Sequence, residues 1–390
     1  MLMRNRNLEV QMKDSTLCVH VGSYPDLNEG GINTPVYLSS AHLFPHPSGE
    51  LRYPRYSNLP TQLGPAEKIA GLEHGERCLL FSSGMAAIST VFLALLSKKE
   101  HCVVQSDIYG GTRKFLSREL VRYGIDFSLV GSNDPDAFER EIRPNTKLLY
   151  IESPSNPLLR LVDIEKIAEI AEKHHIISVI DSTFATPINQ KPIDMGIDVV
   201  VHSGTKYLGG HSDIACGAVV ANRSIMDRIG EAQKSIGGTL DPFSSFLLDR
   251  GLKTLPLRVA RQNDNAFEIA RRLEKSPKIQ KVHYPGLKTH PDHDLARRQM
   301  RGYGGIVTFT MNGALETARK FTKGLSLIKG AISLGGIESI VCFPFETSHA
   351  GMRKEERERM GIQDTTLRLS VGIEDQEDLV SDLDRALSSL

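Results

Sequence analysis

Short apolar runs alternate with amphipathic stretches from residue 78 to about residue 221. The runs at 78–81, 102–105, 127–130, 148–151, 176–180 and 199–202 read as strands. Between them lie helical segments such as 164–174, which places Ile164, Ile167, Ile170 and Ala171 on one face. Strands alternating with helices predict a parallel sheet covered on both faces. Their uneven spacing favours an open, doubly wound sheet over a βα barrel. Ahead of this block, residues 30–65 are rich in Pro, Gly and Ser and read as an extended arm. Behind it, a helix-like stretch at 246–273 leads past Pro285 and Pro291 into strand runs at 306–311 and 367–371. The expected organisation is an N-terminal arm (1–62), a large domain (63–260) and a smaller C-terminal α/β domain (261–390). The sign-alternating run at 353–359 reads as a solvated helix face.

Composition narrows the class of function. The chain has 390 residues with 47 Lys plus Arg against 47 Asp plus Glu, a formal net charge of zero. That balance lacks the footprint of a nucleic-acid or anionic-membrane binder. The most apolar helix candidate, 85–96, carries Ser89 and Thr90 and is too short to span a bilayer. The opening 18 residues carry Arg4, Arg6, Glu9, Lys13 and Asp14 without an apolar segment, so no secretory signal is expected. Cys18, Cys78, Cys102, Cys216 and Cys342 form no CxxC pair and read as reduced thiols of a cytoplasmic protein.

In open parallel sheets ligands bind beyond the carboxyl ends of the strands. Four such ends carry polar residues. Ser82-Ser83-Gly84-Met85 opens a helix, whose free N–H groups suit a phosphate, although serine there also serves as a plain N-cap. Glu152-Ser153-Pro154-Ser155-Asn156-Pro157 is a proline-bounded turn presenting Asn156. Asp181 puts a carboxylate at the edge of a strand buried on both faces, a costly placement unless it has a cationic or hydrogen-bonding partner. After 199–201 comes His202-Ser203-Gly204-Thr205-Lys206-Tyr207, with two hydroxyls and a lysine aimed at one place. Neither a GxGxxG nor a Walker glycine loop is present. The inventory fits pyridoxal phosphate, which needs a lysine for covalent attachment, a carboxylate for its pyridine nitrogen and a hydroxyl and N–H cup for its phosphate. Tyr109, in Tyr109-Gly110-Gly111-Thr112, offers an aromatic face.

The motifs SSGMAA, YGGT, ESPSNP, DSTFATP, VHSGTKYLGGHSD, RGLKTL, SLGGIES and LRLSVGIED occur in that order from Ser82 to Asp375. Together they make the chain resemble the pyridoxal-phosphate enzymes of cysteine and methionine metabolism: cystathionine γ-synthase, γ-lyase and β-lyase, and methionine γ-lyase. The resemblance implies the aspartate-aminotransferase-like fold of PLP-dependent transferases. It implies Lys206 as the cofactor-bearing lysine and proton carrier, Asp181 as partner of the ring nitrogen and Asn156 of the ring hydroxyl. Tyr109 would stack on the ring and move a proton at the leaving group. Gly84, Met85, Ser203 and Thr205 would hold the phosphate, with Thr183 also at the cofactor. Tyr53 and Arg55 of the arm would reach the phosphate of a neighbouring subunit, making the protein a homotetramer with shared sites. Asn156, Ser333, Glu338 and Arg368 would bind the amino-acid substrate, Arg368 clamping its α-carboxylate. The implied reaction is elimination or replacement at the γ or β carbon of a sulfur amino acid, with a cystathionine γ-lyase type first.

Three departures bear on the substrate. Leu59 intrudes between Asn58 and Pro60 in the arm sequence YPRYSNLPT. Arg52 stands where several cystathionine enzymes have an acidic residue, and should repel a distal ammonium unless Glu50 or Glu338 compensates. Gly111 replaces the cysteine of methionine γ-lyases. Two other readings compete: a metal site at His283, His290 and His293, against which the spacing and proline-rich setting weigh, and a catalytically silent scaffold relative.

Overall fold

The computed structural model describes residues 12–47, 49–131 and 133–390. The charged segment read as lacking a secretory signal lies, for residues 1–11, outside the described residues. Seven strands, β1 (Arg77–Phe81), β2 (His101–Gln105), β3 (Asp126–Val130), β4 (Thr146–Glu152), β5 (Ile177–Asp181), β6 (Val199–His202) and β7 (Gly217–Ala221), form one sheet in the order β1-β7-β6-β5-β4-β2-β3. Only β7 runs against the others.

Period-two alternation explains why both faces are apolar. Leu80, Val103, Leu149, Ile151, Ile180 and Val200 belong to one buried cluster. Leu79, Phe81, Val104, Tyr150, Val179 and Val201 belong to another on the opposite face. Because the strands other than β7 run in one direction, the segments following β1, β2, β4, β5 and β6 emerge along one edge of the sheet.

The second sheet has the order β10-β11-β12-β9-β8, from β8 (Ile279–His283), β9 (Ile306–Met311), β10 (Lys329–Gly330), β11 (Ile340–Cys342) and β12 (Thr366–Ser370). It is antiparallel apart from the β10–β11 pair. The helix Leu255–Glu274 packs on β8 and β9. Residues of both sheets, such as Val200, Phe309 and Leu367, share one buried cluster.

Three local expectations need correction. The stretch at 246–273 is two helices, Pro242–Leu252 and Leu255–Glu274, because Pro256 starts a new helix at its first turn. The run at 353–359 is not wholly solvated, since Arg357 is buried and bonds Asp364 at 3.0 Å. The intruding Leu59 is completely buried at the start of the helix Pro60–Glu73, its N–H bonded to Gln62 Oε1 at 3.2 Å. Among the described residues no helix is long and apolar enough to cross a membrane.

Candidate active site

The carboxyl edge of the large sheet and one end of the small sheet enclose a cavity of about 530 Å³. Gly84, Met85, Tyr109, Asn156, Asp181, Thr183, Ser203, Thr205, Lys206, Ser333 and Arg368 all line it. The sequence motifs point to every one of these, and folding brings them together.

Ser83 caps the helix Gly84–Leu95, its Oγ accepting the Ala86 N–H at 3.0 Å. The Gly84 and Met85 N–H groups belong to the first turn, where no intrahelical acceptor exists. A Cβ on Gly84 would lie 2.9 Å from both Cβ and Oγ of Ser203. The glycine therefore lets the helix start approach the strand end and form a cup with positive dipole character. Thr183 Oγ1 fixes the same rim by accepting the Ser203 N–H at 2.8 Å. Thr205 Oγ1 exchanges bonds with Cys216, donating to its carbonyl at 3.1 Å and accepting its N–H at 2.9 Å. Gly84→Ala is expected to weaken cofactor binding by about tenfold or more through this overpacking, measured as the cofactor dissociation constant; unchanged affinity would place the phosphate elsewhere.

Lys206 follows β6 in a tight turn, and its Nζ donates to Ser333 Oγ at 2.7 Å. Burial, and next the positive charge of Arg368, lower its pKa from 10.5 to about 8. Arg368, at the centre of β12, is buried. It donates to Asn156 Oδ1 at 3.0 Å and to the Ser333 carbonyl at 2.9 Å. Its Nε has no partner among the described residues. A buried guanidinium bonded only to neutral oxygens is a ready anion site.

Asp181 ends β5, buried, and accepts the Thr183 N–H at 3.0 Å. Burial raises its pKa against the opposing effects of Thr183 and His202. Beside it stands Glu152, also lining the cavity and raised well above the carboxylate range by burial and then by Asp181. In the ESPSNP motif Glu152 carries no chemistry of its own by sequence alone. The Tyr109 N–H donates to Glu152 Oε2 at 2.7 Å. The Tyr109 ring leans over Gly111, where a Cβ would come within 2.4 Å of the ring and 3.1 Å of Met85 Sδ. A cysteine at position 111 could not coexist with this ring placement. Thr347 and Ser348, missed from sequence, close the cavity from the small-sheet side; no local pattern marks them.

Three expected residues do not line this cavity. Glu338 is exposed, with Ser212 Oγ donating to it at 3.3 Å. Tyr53 and Arg55 sit on the arm, where Arg55 stacks on Tyr53 and Tyr56 and bonds the Lys234 carbonyl. Arg52 is tied to Glu50 at 2.8 Å and to the Asn58 carbonyl. Of the histidines that would form a metal site, His293 Nδ1 is 2.9 Å from the Pro285 carbonyl and His290 Nδ1 accepts the Asp292 N–H at 3.1 Å. Among the described residues no three such side chains could hold a metal ion.

The chain matches the family described as Cys/Met metabolism PLP-dependent enzyme over residues 15–388. It is 42% identical over 377 residues to a cystathionine beta-lyase of Coxiella burnetii, covering 95% of this chain and 97% of that one. It is 41% identical over 382 residues to a cystathionine gamma-lyase of Bacillus subtilis, covering 97% and 100%. A crystal structure of cystathionine gamma-lyase from Lactobacillus plantarum complexed with L-serine superposes with a TM-score of 0.93 at 38% identity, over 97% of this chain and 99% of that one. The cavity suits the cofactor on its own terms. It offers a buried carboxylate without a cation, a lysine whose amine is easily deprotonated, and a helix-start cup that only glycine permits. The chain therefore belongs to the Cys/Met metabolism PLP-dependent enzymes, with pyridoxal phosphate as its cofactor and carbon–sulfur lyase or transsulfuration chemistry as its activity.

Proposed function

We propose that the protein is a cystathionine γ-lyase, releasing cysteine, 2-oxobutyrate and ammonia from cystathionine and water. The observation that carries the catalytic reading is the hydrogen-bonded series Lys206–Ser333–Arg368–Asn156, which places the amine beside a buried cation lacking a carboxylate. In this reading Lys206 would hold the cofactor and Asp181 would serve its ring nitrogen. Tyr109 would stack on the ring, Asn156 would partner its hydroxyl, and Gly84, Met85, Ser203, Thr205 and Thr183 would hold the cofactor's phosphate end. The bound cofactor supplies an electron sink for a bond broken at the substrate α-carbon.

The chain's residues do the rest. Arg368 grips the α-carboxylate with two parallel N–H donors and so fixes the α-carbon beside Lys206. Lys206 Nζ, with its lowered pKa, takes the α-proton and returns it further along the substrate chain. Ser333 Oγ holds that amine in place. The Tyr109 hydroxyl supplies a proton to the departing sulfur. Asp181 would supply the negative charge that keeps the cofactor's ring nitrogen protonated.

Gly111 supports γ-lyase chemistry over methionine cleavage, because the Tyr109 ring occupies the space a cysteine there would need. The Arg52–Glu50 ion pair offsets the cation expected to repel a distal ammonium. Tyr53 and Arg55, exposed on an arm with Leu38, Leu43, Phe44 and Leu51 also exposed, suit a neighbouring subunit's site. A cytoplasmic homotetramer, organised as arm 1–62, large domain 63–260 and small domain 261–390, is part of the same reading.

Two measurements test it. Offered cystathionine, cysteine, methionine and an acylated homoserine in parallel, the enzyme is expected to release 2-oxobutyrate from cystathionine. Predominant pyruvate would mean β-elimination, and a new thioether from acylated homoserine would mean γ-synthase chemistry. Second, only the neutral amine can capture an aldehyde. With a pKa of about 8, roughly one Lys206 in ten is neutral at pH 7, against about one in three thousand at 10.5. Reconstitution of cofactor-free protein should therefore accelerate about eightfold from pH 7 to 8.5 and then level off; acceleration continuing to pH 10 would contradict the lowered pKa.

A further inference from the structure

Glu152 and Asp181 are in-register neighbours on β4 and β5, so their side chains leave the same face of the sheet. Both are buried, at 5% and 6% exposure, and both line the cavity. Two carboxylates so placed do not both ionise without a cation between them. The surroundings distinguish the two. Asp181 accepts the Thr183 N–H and feels His202, which together favour its anion. Glu152 faces Asp107 as well as Asp181, and both favour its protonated form. The Tyr109 N–H donates to Glu152 and the Asn156 N–H acts on it from nearby; both favour its anion, but burial together with Asp181 and Asp107 outweighs them. Tyr109 and Asn156 carry the ring and the amide that frame the cavity.

We propose that Glu152 is a protonated positioning residue, which leaves the single negative charge of the pair on Asp181 and anchors Tyr109 and Asn156 through their backbone N–H groups. This rests on the roles given above to Asp181 and Tyr109 and extends them. The titratable groups facing Glu152 are Asp181 from β5, Asp107 and Tyr109 from the loop after β2, and Tyr150 from its own strand. Lys206 and Arg368 stand across the cavity, and His202 acts on Asp181 from β6. Glutamine at position 152 copies the neutral acid, keeping a carbonyl acceptor of the same reach. Alanine removes the acceptor.

At pH 7 the Glu152→Gln protein should bind pyridoxal phosphate within about threefold of wild type, whereas Glu152→Ala should bind at least about tenfold more weakly. Weak binding by the glutamine variant would mean that an ionised Glu152 is required, and unchanged binding by the alanine variant would mean that it positions nothing; either overturns the proposal. The infrared difference spectrum between wild type and Glu152→Gln reads the proton directly and does not depend on the alanine variant folding. It should lose the carbonyl stretch of a protonated carboxylic acid, in holoenzyme and in cofactor-free protein alike; loss of a carboxylate stretch instead would overturn the proposal. Because the cofactor-free spectrum involves no bond to Lys206, failure here would leave the reading of Lys206 standing.

Discussion

Lys206→Ala is expected to lower turnover by at least about 10⁴-fold and to remove the visible absorbance of lysine-bound cofactor. The loss is large because one amine both holds the cofactor and carries the substrate proton. No other lysine lines the cavity among the described residues. The fold should survive, because among the described residues the Lys206 side chain makes a single hydrogen bond, to Ser333 Oγ. Noncovalent cofactor should still bind, through the Gly84 and Ser203 cup and through Asp181. Circular dichroism separates loss of chemistry from loss of structure, and a variant that kept both colour and turnover would refute the role. The same experiment answers the scaffold alternative, since a silent relative would be indifferent to the substitution.

Arg368→Ala is expected to lower kcat/KM by about 100- to 1000-fold, with cofactor affinity within about threefold of wild type. Truncating one partner of a buried, hydrogen-bonded charge pair costs about 2–5 kcal/mol, and here that partner would be the substrate carboxylate. The guanidinium contacts Asn156 and the Ser333 carbonyl, and neither Gly84 nor Ser203. Arg368→Lys should recover little, since an ammonium cannot present two parallel donors. Removing Arg368 also removes a charge that depresses the Lys206 pKa, so the residual pH profile should move to higher pH. Equal loss of cofactor binding, or a profile that moves to lower pH, would contradict the assignment.

The site was legible because its chemistry sits at strand ends. An apolar run of three valines, 199–201, followed by Ser203, Thr205 and Lys206 states both where the strand stops and what lies beyond it. Other features needed three dimensions. Strand β7 reads only as Gly-Ala-Val-Val-Ala, too small and short to stand out from a loop, yet it is buried throughout between β1 and β6. Glu152 looked like one polar residue in a proline turn; its significance comes from the register of β4 against β5, which puts Asp181 beside it. Thr347 and Ser348 reach the cavity only because the small sheet folds back over the carboxyl edge of the large one. Conversely, Glu338 belongs to the SLGGIES motif, but its side chain ends in solvent near Ser212. The departure at Leu59 proved a packing solution, the extra residue entering the core ahead of a proline-started helix.

Borohydride reduction of the holoenzyme, followed by proteolysis and mass mapping, tests the central claim most directly. The account predicts that a single reduced pyridoxyl group is found on the peptide containing Lys206. Label on another lysine, or none on a protein that turns over substrate, would contradict it.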